Sequence, residues 1–300
     1  MPEFRDLTTI EDFERVVELE KRIWGYTTGD DVVPIPVLAV TAHRGAILVG
    51  AFDERTMVGF VYSIPAIYRG ALSHWSHMLG VLPAFRSTGL GRQLKLIQRE
   101  RALTLGIDLV EWTYDPLLAL NAYLNFAKLG VLVEEYAENI YGLSSSPLHG
   151  GLPTDRFVAQ WWIRTPHVER RIAARANTLP LVSSRAVSSQ LVNLTRHVGR
   201  WMAPGAMHLD VEADAIRVQI PPGFPQMLEG APDLAGEWRA ATRQIFTTYF
   251  ARRYRVVDFL FDRSAGTGSY LLSREATPAH GQPAGAGGGG TPSAPPRDCN

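Results

Sequence analysis

The chain has 300 residues, 46% of them apolar and 20% charged, enough to bury a large core in one big domain or two ordinary ones. Thirty basic side chains balance thirty acidic ones, so the whole-molecule field is too weak to draw the protein to nucleic acid or an anionic membrane. The sole cysteine, Cys299, excludes an intrachain disulfide and any multi-cysteine zinc or iron–sulfur site. Residues 1–150 carry 13 basic and 18 acidic side chains, a net −5, and residues 151–300 carry 17 and 12, a net +5, an asymmetry suited to docking the halves or facing different partners. The acidic, amphipathic start and the lack of any run of about 18 apolar residues read as a soluble cytoplasmic protein.

In chain order, a short strand near 4–7 precedes an amphipathic helix over about 10–24, with Phe13, Val16, Val17, Leu19, Glu20 and Ile23 at helical spacing. A loop follows, and then 46–52 and 57–64 read as two strands joined by a turn at Asp53-Glu54-Arg55-Thr56. A strand over 73–81, a helix over 89–105 with Leu90, Leu94 and Ile97 on one side, a strand over 107–114 and a helix over 117–129 come next. With further extended segments, one over 157–163, they form a mixed α/β layer. Beyond Arg164 come an Arg-rich helix over 166–176, an irregular stretch and a strand over 216–220 closed by Pro221-Pro222. The helix from Asp233 carries Leu234, Trp238, Thr242, Ile245 and Tyr249 as a stripe, with Arg252 and Arg253 at its end, where cations suit the dipole. Strands over 255–261 and 269–273 close the pattern. The expected fold class is α/β: a mixed sheet flanked by helices over 1–164 and a second, smaller α/β subdomain over 165–275. The tail over 276–300, with six Gly and five Pro, cannot bury enough to fold.

The segment richest in chemistry is Ser73–Lys95: an extended stretch, then Arg86-Ser87-Thr88-Gly89-Leu90-Gly91, then a helix. Gly89 and Gly91 let backbone N–H groups turn toward an anion at the helix N-terminus, where the dipole adds positive charge, and a pyrophosphate fits there. The Lys-Ser/Thr pair of an NTP-binding loop is missing and the spacing is not that of a dinucleotide site, so kinase and dehydrogenase readings fall away.

These residues resemble the GNAT superfamily of acyl-CoA-dependent N-acyltransferases, whose fourth strand reads roughly L-x-V-x-P ahead of [RQ]-x-x-G-x-[GA]. Leu79, Val81 and Pro83 stand ahead of Arg86, Gly89 and Gly91. A second block, Phe126-Ala127-Lys128-Leu129-Gly130-Val131, is similar to the family's aromatic-x-x-x-Gly, and together the blocks cover about residues 1–165. The resemblance implies a GNAT-like sheet and acetyl-CoA or another acyl-CoA as co-substrate. Leu79, Gly80, Val81, Arg86, Ser87, Thr88, Gly89, Leu90, Gly91 and Arg92 would hold it, with Asn121 and Phe126 from the later helix. It also implies transfer of an acetyl or succinyl group to a primary amine on a small molecule, an amino acid among the candidates. Phe126 stands where the family often has a Tyr that protonates the departing thiolate, and Ala119 where it has an Asn; Tyr123, one helical turn earlier, is the candidate replacement acid.

A glycine inside a strand, Gly80, favours a bulge or a close backbone approach. In the family the bulged fourth strand splays from the fifth to admit pantetheine, and a backbone N–H near Leu79 is implied to hold the oxyanion. Alternation from Val81 puts Leu79, His77 and Trp75 on one face and His74 on the other. An amine near pKa 10 must lose a proton before it attacks a thioester, and His77, near 6.5, is the candidate base, as in some family members. A thiolate near pKa 8.5 is a tolerable leaving group even without an acid. Asp155 and Arg156 read first as part of a turn and second as binders of substrate charge, with Arg156 suited to a carboxylate. Their segment, Gly151-Leu152-Pro153-Thr154-Asp155-Arg156-Phe157, is similar to one in longer GNAT-like proteins that share the C-terminal region. The competing class is a noncatalytic acyl-CoA-binding sensor or interaction protein whose second subdomain binds a partner, favoured by Phe126 and the lack of a clear acid. The sequence names neither the acceptor nor the oligomeric state.

Overall fold

Helix α1 (Ile10–Trp24) occupies its predicted span because both ends are written locally: the Thr9 side chain accepts the Asp12 N–H, the Asp12 carboxylate accepts the Thr9 N–H, and Gly25 ends the helix in the left-handed region at φ 69°. A computed structural model of the chain describes residues 2–26, 31–142, 150–174, 189–262 and 267–274. The predicted tail over 276–300 and the end of the 166–176 helix beyond 174 lie outside the described residues.

Strands β1 (Glu3–Asp6), β2 (Ile47–Asp53), β3 (Thr56–Tyr68), β4 (Ala71–Val81), β5 (Leu109–Tyr114), β6 (Leu132–Ala137) and β7 (Arg156–Trp162) lie in the order β1-β2-β3-β4-β5-β7-β6. All these pairs are antiparallel except β4 with β5, which are joined through α3 (Leu90–Thr104), as a parallel pair requires a crossover. α1 covers one face, where a Cβ on Gly80 would lie 2.8 Å from Ile23 and 3.1 Å from Trp24. α3 covers the other, with Leu94 at 3.3 Å from the Cβ position of Gly59. After β5 a short helix, α4 (Ala119–Ala122), runs on as a π-helix, Tyr123–Leu129, and closes at Gly130 with φ 75°.

The sheet does not stop at β6. Val133 pairs with Val256 of β12 (Arg255–Asp262), and β13 (Thr267–Ser273), β11 (Ala215–Ile220) and β8 (Gln190–Leu191) follow, giving among the described residues one mixed sheet of eleven strands flanked by helices. Several elements stand where the sequence reads as loop or irregular. α2 (Ile35–Ala42) is apolar almost throughout, and with no polar stripe it carries no helical period. The hairpin of β9 (Asn193–Val198) and β10 (Trp201–Met207) loses its alternation at a register shift between Pro204 and Met207. α6 (Phe224–Gly230) follows Gly223 and is too short for a periodic signal.

α7 (Pro232–Ala251) buries the predicted stripe of Leu234, Trp238, Thr242, Ile245 and Tyr249, and adds Phe246, whose ring centroid lies 4.6 Å from that of Phe157. The contacts between the early and late parts of the chain are core contacts. Tyr270 donates to the Pro116 carbonyl at 2.7 Å, and Arg239 grips Asp115 through two bonds of 3.0 and 2.5 Å. Arg171 of α5 (Pro166–Ala173) reaches Asp258 at 2.7 Å.

Both partners of the Arg239–Asp115 pair are buried, so removing one leaves an uncompensated charge in the interior. Arg239→Ala is expected to cost about 3–5 kcal/mol. Chemical denaturation should show a lower midpoint at an unchanged slope.

Candidate functional site

The parallel pairing of β4 with β5 is confined to His74↔Val110 and Trp75↔Glu111. Past that point β4 carries one residue more than β3: Tyr62 opposes Met78 and Ser63 opposes Ser76, which leaves His77 as the extra residue of a β-bulge. The bulge lies three residues before Gly80, where the glycine suggested one; Gly80 pairs regularly with Phe60 and serves the close approach of α1 instead.

The bulge overturns the expected common face. Leu79 and Val81 point toward α3, lying 3.9 and 4.0 Å from the Cβ position of Gly91. The His77 ring instead meets Tyr62 edge-on at 6.1 Å, on the face where the Tyr62 hydroxyl lies 2.7 Å from Thr41 of α2. Trp75 opposes Ile64 and so shares the Tyr62 and His77 face. Among the described residues no side chain hydrogen-bonds the His77 ring. The residue is exposed by surface area, yet the protein packed around it lowers its pKa below 6.5, so it stands neutral at pH 7 with a lone pair to offer. His74 is a core residue: it is buried, its Nδ1 lies 3.1 Å from Ser63 Oγ, and burial lowers its pKa to about 4.

At the far end of β4 the segment Arg86–Gly89 is exposed and holds two left-handed residues, Ser87 at φ 63° and Gly89 at φ 91°. α3 starts at Leu90 with no side-chain cap, so its leading N–H groups point out of the loop unclaimed by a side chain, an arrangement that suits a phosphate oxygen. Thr88 donates to the Phe85 carbonyl at 2.8 Å, and Arg86 Nε folds back to the Val81 carbonyl at 3.2 Å. Arg92, expected at the cofactor, gives its guanidinium to the Ile172 carbonyl of α5 at 2.7 Å.

The later helix departs further from expectation. Phe126 is 1% exposed and packs against Tyr270 at 5.9 Å, which makes it core and not a cofactor contact. Tyr123 lies 6.2 Å from Phe261 of β12 with Lys128 Nζ at 5.3 Å over its ring, so its surroundings belong to the late strands. Asn121 is exposed. Asp155 is wholly buried and holds Tyr136, the Asn139 N–H and Arg243 at 2.7–3.0 Å, a structural clamp with no capacity left for substrate. Arg156 lies 3.7 Å from Asp115 and 5.7 Å over the Tyr141 ring, and burial lowers its pKa.

Glu20 was visible in the sequence only as a carboxylate in the apolar stripe of α1. It is fully buried; Oε2 accepts the Val33 N–H at 3.0 Å, Oε1 has no partner among the described residues, and burial raises its pKa to about 7. Among the described residues no three His, Cys, Asp or Glu side chains group as metal ligands, and no helix is long and apolar enough to cross a membrane.

No protein-family model and no curated protein matches the chain. Solved structures similar to it include the ribosomal-protein-S18-alanine N-acetyltransferase of Escherichia coli, at 16% identity and a TM-score of 0.43 over 60% of this chain and 99% of that one. The PaiA N-acetyltransferase of Thermoplasma acidophilum, in complex with coenzyme A, is similar at 18% identity and 0.39, over 53% and 98%. An acetyltransferase of the GNAT family from Streptococcus pneumoniae is similar at 16% and 0.43, over 53% and 98%.

Glu20 generates a pH signature. Its folded pKa of about 7 exceeds the ordinary 4.5, so the native state holds a proton that the unfolded state has lost between those values, and stability falls as pH rises through that window. The fall amounts to about 3 kcal/mol. Glu20→Gln should abolish this contribution: the stability difference, wild type minus variant, declines from about pH 4.5 to 7 and is flat above. His74 titrates with the opposite sign, gaining stability from about pH 4 to 6.5, but is common to both proteins and cancels. Denaturation midpoints of both proteins across this range measure it.

Proposed function

We propose that the protein is an acyl-CoA-dependent N-acyltransferase acting in the cytoplasm, moving an acetyl or succinyl group to the primary amine of a small molecule, an amino acid among the candidates. One observation carries the reading: a bulged histidine, without a side-chain hydrogen bond among the described residues, where β4 and β5 stop pairing, followed beyond the end of the strand by the uncapped start of α3 at Gly89. On this reading the machinery lies in residues 1–164, in the longer subgroup marked by Gly151–Phe157, and 165–275 is a subdomain packed against it.

The neutral amine attacks the thioester carbonyl, its proton passes to His77 directly or through water, and the carbon–sulfur bond breaks to release the thiolate. The product is an amide and free thiol, with no covalent enzyme intermediate. A backbone N–H of β4 near Leu79, on the side where β5 has turned away, stabilises the oxyanion. Tyr123 faces β12, so the thiolate leaves without it, as its pKa near 8.5 allows. Arg156 suits an acceptor carboxylate, though Asp115 claims part of its charge. A second reading, an acyl-CoA sensor without catalysis, draws support from Phe126 standing in the core where an acid was sought.

CoA is expected to raise the melting temperature, since a ligand that binds only the native state stabilises it by RT ln(1 + [L]/Kd). Gly89→Val should erase that shift and spare the fold, because no atom lies within 4 Å of the Cβ position while φ 91° opposes a β-branched residue. An undiminished shift in the variant would remove the pyrophosphate assignment.

His77→Ala should lower turnover by about 10²-fold at neutral pH with CoA affinity nearly unchanged, and recover in part at high pH where the amine deprotonates itself. Thiol release with a panel of amines and amino acids reads both. If the wild type binds CoA tightly and releases no thiol, the sensor reading replaces this one.

A further inference from the structure

A cavity of about 490 Å³ opens between the tip of the β3–β4 hairpin, strands β6 and β7, and the junction of α7 with β12. The hairpin is long enough to curl over β7: Gln160 Nε2 donates to the Tyr68 hydroxyl at 3.0 Å, and the Tyr68 and Trp162 rings meet edge-on at 6.0 Å. Phe250 and Tyr254 form the facing wall.

The charges around this space cancel only in part. Arg69 and Glu134 pair at 3.3 Å and neutralise each other. Glu135 lines the same cavity as Arg253 and Arg255, yet among the described residues none of these three side chains makes an ion pair or a hydrogen bond. The placement of the acidic residues has a backbone cause: β6 is bulged between Val133 and Glu135, with Glu134 as the extra residue, and a bulge re-aims the side chains beside it. Behind Gln160, in the adjacent position of β5, stands Glu111, only 7% exposed; burial and then the neighbouring Glu135 raise its pKa to about 7. A ligand of one sign would meet both favourable and repulsive groups in this lining, whereas a ligand carrying both charges satisfies each.

We propose that this cavity binds a small zwitterion of the amino-acid class, a free amino acid or a short peptide, with its ammonium group toward Glu135 and its carboxylate toward Arg253 and Arg255. Trp75 opposes Glu111 and Glu111 opposes Gln160, so the Gln160 side of the cavity belongs to the sheet face that carries His77. It is a different place from Arg156, four residues or about 13 Å away along β7. Zwitterion binding here does not require that the protein transfer acyl groups.

Titration calorimetry without acyl-CoA tests the proposal, using leucine and leucyl-leucine as probes together with their N-acetylated and C-amidated forms. Free leucine or the free dipeptide should bind, and loss of either charge should weaken binding about tenfold or more. Arg255→Ala should weaken the free and N-acetylated probes but not the amide; Glu135→Gln should weaken the free and amidated probes but not the N-acetyl form. Near-UV circular dichroism checks that each variant keeps the native fold. Absence of binding by both free probes, equal binding of all charge forms, or variants that weaken every form alike would each overturn the proposal. Binding without thiol release would count against acyl transfer and leave this site standing, and thiol release without binding in the cavity would do the reverse.

Discussion

Two residue pairs, His74↔Val110 and Trp75↔Glu111, are all that joins β4 to β5, and the rest of the molecule is arranged around that brevity. Backbone N–H and C=O groups left unpaired inside a sheet are costly unless something else satisfies them, so a strand that lets go of its neighbour must be held elsewhere. β5 is held by β7, with which it keeps register along its whole length from Leu109↔Trp162 to Tyr114↔Phe157. Its C-terminal end is then fixed by the grip of Arg239 on Asp115, the residue that follows the strand. The opening between β4 and β5 therefore depends on a helix contributed by the last third of the chain.

That dependence gives the charge asymmetry of the two halves a physical meaning. The acidic first half supplies Asp115 and Glu138, and the basic second half answers with Arg239 and Arg243 from successive turns of α7. The Asp115 pair is buried and directional, whereas Glu138 and Arg243 are half exposed and add little. Aromatic packing does the larger share: Phe157 of β7 touches Phe246, Phe250 and Tyr270, so a core strand of the early sheet rests on side chains from the late part of the chain. The single backbone pairing of Val133 with Val256 makes the sheet continuous, but the rings and the Arg239 pair hold it together.

What could be read from the sequence follows from how local each determinant is. α1 was legible because a capping box, a stripe and a terminal glycine all lie within its own residues, and α3 because the glycine-rich turn announces its start. The apolar stripe of α7 was legible for the same reason, although its destination was not. α2 escaped because a helix without a polar face has no period to detect. The bulge escaped because register is a relation between two strands: Gly80 marked the right strand, but only the pairing with Tyr62 and Ser63 places the extra residue at His77. The same shift is why simple alternation put His77 on the face of Leu79 and Val81. Asp155 and Arg156 are adjacent and similar in promise by sequence, and only the arrival of Arg243, 88 residues later, makes one of them a clamp.

The bulge is pinned from both sides of the sheet. On the α3 face Ser76, immediately before His77, accepts from Lys95 Nζ at 3.2 Å and from Gln98 Nε2 at 2.9 Å. Lys95 is buried with its nitrogen 3.5 Å from the Trp112 ring centre, and burial drives its pKa well below 10.5, so the network holds its shape without a solvated charge. On the α1 face Gly80 lets Ile23 and Trp24 approach until no Cβ would fit. With the residue before the bulge fixed by hydrogen bonds to one helix and the strand after it pressed against another, His77 is the exposed residue of the stretch from Ser73 to Val81. The His77 ring, edge-on to Tyr62 and among the described residues without a side-chain hydrogen bond, is therefore positioned by packing, and the protein around it lowers its pKa.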